Sequence, residues 1–81
     1  MSEVVLYGRA GCHLCDDARA AILRVGERAV LTLTEVDIEA DDALLKRYLE
    51  RIPVVEVDGE ELFEFFVDEG VLEARVRGTV S

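Results

Sequence analysis

The sequence predicts an α/β fold in the order βαβαββα: three layers, with a mixed four-stranded sheet carrying helices on both faces. Three observations predict it. Short runs rich in Val, Leu and Thr alternate with segments whose apolar residues recur at helical spacing. The first two runs are separated by one such segment, the arrangement that makes two strands parallel with a right-handed crossover. Further on, Asp58-Gly59 stands between two strand-like runs, a strong hairpin signal that makes the last two strands antiparallel.

The first strand is expected at residues 4–7, Val4-Val5-Leu6-Tyr7, an unbroken apolar run suited to a buried position. Gly8 and Gly11 bracket a short loop. After it Leu14, Ala18, Ala21, Ile22 and Val25 repeat at helical spacing, so a helix is expected over 12–25 with Gly26 as its stop. A second strand is expected over 30–36, with Leu31, Leu33 and Glu35 on one face and Val30, Thr32, Thr34 and Val36 on the other. Positions 37–42 read as a loop leading into a helix over 42–50, capped by Asp41 and presenting Leu44, Leu45, Tyr48 and Leu49 to the core. Arg51-Ile52-Pro53 breaks that helix.

Strands three and four are expected at 54–57 and 61–66. Side chains alternate along a strand, so Phe63, Phe65 and Phe66 cannot all point inward. One is left exposed or under the last helix, and a core role is expected ahead of a partner-binding patch. The closing helix follows Asp68, with Val71, Leu72 and Val76 as its apolar face, and residues 78–81 are expected to form a flexible tail.

Eighty-one residues with 51% hydrophobic and 33% charged content predict a single domain over 1–81, not a disordered chain. No apolar run reaches the length of a membrane span, and the start, Met1-Ser2-Glu3, lacks the basic character of a secretory signal. A cytoplasmic location is therefore expected, where a lone cysteine pair is more often catalytic than structural. The net charge of −9 argues against nucleic acid and against an anionic membrane surface as partners. A small anion would depend on local convergence of Arg9, Lys46 or Arg51. The acidic positions 37–42 lack the spacing of a calcium loop and read as a solvated loop and cap.

The two cysteines, Cys12 and Cys15, meet where the first strand hands over to the first helix. Unpaired N–H groups and the positive end of the helix dipole favour a thiolate there, the form that reacts. Residues three apart share a helix face, so the sulfurs are able to join without unwinding the backbone. A redox couple is the leading reading, with two others open. Structural zinc needs four ligands, and His13 is the only other soft candidate, so a metal site would take a dimer. A purely structural disulfide would close too small a loop to restrict the unfolded chain much. His13, when protonated, would stabilise the thiolate, while Asp16 and Asp17 would oppose it.

Leu6-Tyr7-x-x-x-x-Cys12-x-x-Cys15, followed by Ile52-Pro53-Val54-Val55 and Asp58-Gly59, resembles the glutaredoxin branch of the thioredoxin fold. More narrowly, it resembles small bacterial glutaredoxin-like proteins whose motif reads Cys-His-Leu-Cys. The resemblance implies a thiol–disulfide oxidoreductase in which Cys12 attacks and Cys15 resolves the mixed disulfide. It implies that Pro53 is a cis-proline packed against the pair and that Ile52 offers its backbone to an extended substrate. Tyr7 and Arg9 match the tyrosine and lysine ahead of the cysteines, and with His13 they complete the substrate-binding set. No metal and no tightly bound cofactor is implied. Glutathione is the implied co-substrate, and a disulfide-containing protein or peptide the implied partner of a monomer. The family's Gly-Gly pair before the last helix is replaced by Phe65-Phe66-Val67, and such bulk opposes tight glutathione binding. A non-catalytic binding module of the same fold is the alternative, because function lives in the site and not in the fold.

Overall fold

Strand β1 (Ser2–Gly8) lies inside the sheet, and its alternating side chains divide the core in two. The computed structural model describes residues 2–78. It shows β1, α1 (His13–Gly26), β2 (Leu31–Asp37), a 3-10 turn (Ile38–Ala40), α2 (Asp42–Tyr48), β3 (Val54–Val57), β4 (Glu60–Glu64) and α3 (Glu69–Arg77). The sheet order is β2-β1-β3-β4, with β1 parallel to β2 and antiparallel to β3, and β3 antiparallel to β4. The mixed four-stranded sheet expected from the alternation of runs is therefore present.

Val4 and Leu6 of β1, with Val55 and Val57 of β3, pack against Ala18, Ile22 and Val25 of α1 and Leu72 of α3. The intervening residues turn the other way. Tyr7 and Val54 join Ile38 of the 3-10 turn and Tyr48 of α2. Each fully buried aliphatic side chain contributes about 1.5–3 kcal/mol by leaving water. Helices α1 and α3 thus cover one face while α2 and the 3-10 turn cover the other, which makes the third layer.

The hairpin forms as its sequence demands. Asp58 and Gly59 both take positive φ, 52° and 88°, the primed turn that suits twisted strands. Asp58 also clasps the start of β1: its N–H donates to the Glu3 carbonyl, and its carboxylate accepts from the Glu3 N–H, both at 2.9 Å. Across the β3–β4 ladder, Val55 faces Phe63 while Glu56 faces Glu61, so Leu62 is an extra residue that makes a bulge in this outer strand.

Several element ends differ from expectation. The strand expected over 61–66 stops at Glu64, because Phe65 takes φ 65° and the Phe66 N–H donates to the Glu64 carbonyl at 2.7 Å. That is a classic γ-turn, a rare and strained shape, and left-handed backbone costs a bulky residue about 1–2 kcal/mol. Phe65 and Phe66 are consequently exposed instead of core; only Phe63 packs on the interior. Helix α1 runs through Gly26, whose φ is not positive, and its cap is Glu27 in right-handed conformation. The left-handed glycine cap falls at Gly78, which closes α3 with φ 67° and belongs to the helix end, not to a tail. Positions 79–81 of the expected tail lie outside the described residues. Helix α2 ends at Tyr48, which leaves Leu49 exposed instead of in the core, and Val71 of α3 is likewise exposed. The stretch after β2 holds a 3-10 turn where a plain loop was expected; Asp37 caps it by accepting from the Glu39 N–H.

Candidate redox site

Gly8 ends β1, and Gly11, at φ 76°, turns the chain into α1. Cys12 then serves as the N-cap of α1, in place of the usual Ser or Asp: its Sγ accepts from the Cys15 N–H at 3.1 Å. The helix expected from residue 12 therefore starts at His13, with Cys12 holding its first turn. One turn on, Cys15 is 2% exposed and joins the buried stripe of α1, while Cys12 is half-buried at the rim. The two are joined as a disulfide with their Cα atoms 5.2 Å apart.

Close approach of strand and helix needs a missing side chain. A Cβ placed on Gly8 would lie 2.9 Å from the Cys15 Sγ and 3.2 Å from its Cβ. The β1–β3 ladder ends with Tyr7 opposite Val54, next in sequence to Gly8 on one strand and to Pro53 on the other. The Ile52–Pro53 bond is cis, the Pro53 side chain is buried, and its carbonyl accepts from the Phe65 N–H at 2.8 Å. On the other side Gly8 pairs with Asp37. The Gly8–Asp37 pair and the Pro53–Phe65 bond therefore both lie just past the last β1–β3 pair, at the end of β1 that feeds the cysteine loop. Open α/β sheets place their sites at this edge.

The remaining residues singled out from the sequence are distributed around that edge. Ile52 is half-buried against the Ile38, Tyr48 and Val54 cluster, and its backbone N–H and C=O have no hydrogen-bond partner among the described residues. Arg9 is exposed and lines a pocket of about 300 Å³ with Cys15, Asp16, Arg19, Glu35 and Asp37. Arg19 spans that pocket, donating to Glu35 at 2.6 Å and to Asp16 at 3.0 Å. His13 is exposed at the first turn of α1.

Tyr7 lies on the α2 face of the sheet, opposite to Cys15, stacked on Tyr48 with ring centroids 4.5 Å apart. Burial, together with the Glu56 carboxylate, pushes its phenol up to about 12. Arg47 and Arg51 stand over the Tyr48 ring at 5.3 and 5.4 Å, a cation–π arrangement. Arg51, immediately ahead of Ile52, also pairs with Glu61 and with Glu64 at 3.1 Å, which ties the proline segment to β4 and holds the Glu61 carboxyl below its usual range. Neither Arg51 nor Glu64 carries a sequence motif. The one available signal was the spacing of an arginine before the proline and glutamates on the facing strand.

The family model of the glutaredoxin-like domain (DUF836) matches residues 3–77. A protein from X. campestris is similar at 36% identity over 93% of this chain and 96% of its own, with a TM-score of 0.74. A Nitrosomonas europaea protein is 30% identical over 93% of this chain and 91% of its own, with a TM-score of 0.80. A thioredoxin variant from Halobacterium salinarum shares the fold at 19% identity and a TM-score of 0.68, covering 99% of this chain and 75% of that one. With this fold, this Cys-x-x-Cys disulfide and a match along nearly its whole described length, the chain belongs to the glutaredoxin-like family of thioredoxin-fold proteins.

Proposed function

We propose that this protein is a thiol–disulfide oxidoreductase that works through a mixed disulfide at Cys12. The observation that carries the reading is the asymmetry of the pair. Cys12 sits half-buried on the N-cap, where the Cys15 N–H points at its sulfur, while Cys15 is 2% exposed. One sulfur is open to attack and electrostatically favoured as a thiolate; the other is held in reserve.

In the reduced protein the Cys12 thiolate attacks one sulfur of a substrate disulfide. The substrate S–S bond breaks, the departing sulfur takes up a proton, and a Cys12–substrate disulfide forms. The Cys15 thiolate then attacks the Cys12 sulfur, releasing the second substrate thiol and closing the Cys12–Cys15 bond. Two electrons have passed from protein to substrate, and two equivalents of a thiol reductant such as glutathione, or one dithiol, restore the start. The unpartnered backbone of Ile52 supports strand-like pairing with an extended substrate beside the reacting sulfur. Exposed Arg9, which lines the pocket beside Cys15, supplies positive charge on the side of the anionic thiolate.

The test is a redox titration in thiol–disulfide buffers, read by mass spectrometry, with alkylation of the reduced protein. Cys12 is expected to alkylate faster than Cys15, and Cys15→Ser is expected to accumulate the mixed disulfide on Cys12. Equal alkylation rates, or no mixed disulfide in that variant, would leave a binding module in place of an oxidoreductase.

A further inference from the structure

Two aromatic side chains stand exposed at the same sheet edge as the disulfide. Phe65 is 41% and Phe66 71% exposed, and they are adjacent in the chain, whereas Leu23, Val30, Leu49 and Val71 are exposed singly on other elements. Scattered apolar residues need no explanation, but a paired aromatic patch does. Its position is built. The γ-turn at Phe65 ends β4, and the Phe65 N–H bonds the Pro53 carbonyl, so the pair is anchored one residue from Ile52 and its unpartnered backbone. A left-handed backbone at a phenylalanine whose side chain is not buried gains nothing from the core.

Charge at this edge has one dominant sign. Among the described residues every arginine except Arg9 is in an ion pair, so the cations outside ion pairs are Arg9 at the pocket and Lys46 in the last turn of α2, fewer than the acidic groups that follow. Asp37, in the same row as Gly8, is followed by exposed Glu39, Asp41 and Asp42, and Asp68 lies two residues beyond Phe66; none of these is in an ion pair among the described residues. Around them the whole chain carries −9. Such a field attracts cations and slows the approach of anions. Glutathione, with two carboxylates and one ammonium group, meets an unfavourable field and no apolar groups to pair with the aromatics.

Resting on the oxidoreductase reading above, we infer that the preferred substrate is the disulfide of a basic polypeptide. An apolar residue beside its cysteine packs on Phe65 and Phe66, its backbone pairs at Ile52, and its Lys or Arg side chains face the acidic flank. The exchange is the one already written, with the polypeptide disulfide reduced and Cys12–Cys15 oxidised.

The test compares peptides with one disulfide and different flanks: Leu and Lys, Leu and Glu, or Ser and Lys. Glutathione disulfide is the fourth substrate, and each kcat/KM is divided by that for hydroxyethyl disulfide, which is neutral and small. The Leu/Lys peptide is expected to lead the Leu/Glu peptide and glutathione disulfide by about tenfold, with the gap to Leu/Glu closing in high salt. Phe66→Ser is expected to bring Leu/Lys down about tenfold to the Ser/Lys level, the size expected when an aromatic anchor is lost. Phe65→Gly, which suits the positive φ and so keeps the turn, is expected to act in the same direction. Leu23→Ser, which removes an exposed apolar residue on α1, is expected to change no ratio. Equal turnover of Leu/Lys and Leu/Glu, a lead for glutathione disulfide, or no effect of Phe66→Ser overturns the inference while the oxidoreductase reading stands. Absence of exchange with every disulfide, hydroxyethyl disulfide included, overturns both.

Discussion

Replacing Gly8 with alanine tests the contact that seats the disulfide. The added methyl would lie 2.9 Å from the Cys15 Sγ, closer than a carbon atom tolerates, and 3.2 Å from its Cβ, a tight contact. In the oxidised protein the Sγ is fixed by its bond to Cys12, so strand or helix has to shift, an overpacking cost of about 1–3 kcal/mol. Alanine also gains about 0.5–1 kcal/mol over glycine in a strand, because the unfolded chain has less freedom to lose. Taking the midpoints of both ranges, the expected net loss in the oxidised form is about 1.3 kcal/mol, and a domain of this size loses about 4–8 °C of melting temperature per kcal/mol. In the reduced form the Cys15 thiol is able to rotate away, only the Cβ contact remains, and the two effects nearly cancel. A gap of about 1.4 kcal/mol between the two forms would raise the reduction potential by about 30 mV, since the penalised state is the disulfide. Thermal unfolding of Gly8→Ala in both redox states, with a potential measured against a dithiol buffer, checks each quantity. An oxidised variant as stable as the parent, or one whose two forms lose stability equally, would refute the argument.

Two further outcomes follow from burial. Leu72 is the only fully buried side chain of α3, so Leu72→Ala is expected to cost about 2–5 kcal/mol in urea unfolding, and a loss below about 1 kcal/mol would mean that α3 adds little to the core. Native Tyr7 is expected to form phenolate only near pH 12, in an ultraviolet titration where Tyr7→Phe removes that step. Its raised value means that the fold favours the neutral phenol. The associated stability is complete below the ordinary tyrosine value of 10.0 and is lost as pH rises through about 12; a native tyrosine at position 7 titrating at its ordinary value would contradict the burial argument.

Much of the molecule was legible in order and little of it in detail, for physical reasons. Strand and helix periods are local, so the four strands, three helices, Asp41 cap and Asp58-Gly59 turn could be read from neighbours in the chain. Cys15 was read for its chemistry, yet it also occupies a core position one place along from Leu14, because the buried stripe of α1 is set by what the sheet presents to it. The run from Phe63 to Phe66 has strong strand propensity, but the bond from Phe65 to Pro53 bends the chain out of the ladder, and no local pattern encodes that. Gly26 and Gly78 look alike in sequence; only the backbone turn that each must make separates them. The Tyr7–Tyr48 stack and the Arg51 clamp join residues far apart in the chain, where periodicity carries no information.

The bulge at Leu62 matters beyond the site. Strand β4 is an open margin of the sheet, and an unprotected margin is a template on which another chain is able to add itself. The extra residue interrupts the regular row of amide groups, and Glu60, Glu61 and Glu64 set three carboxylates along five residues. An incoming strand would meet broken register and carboxylates already held in ion pairs by Arg47, Arg51 and Arg75, which guards the protein against sheet-to-sheet aggregation while leaving the margin's far end, at the phenylalanines, open for use.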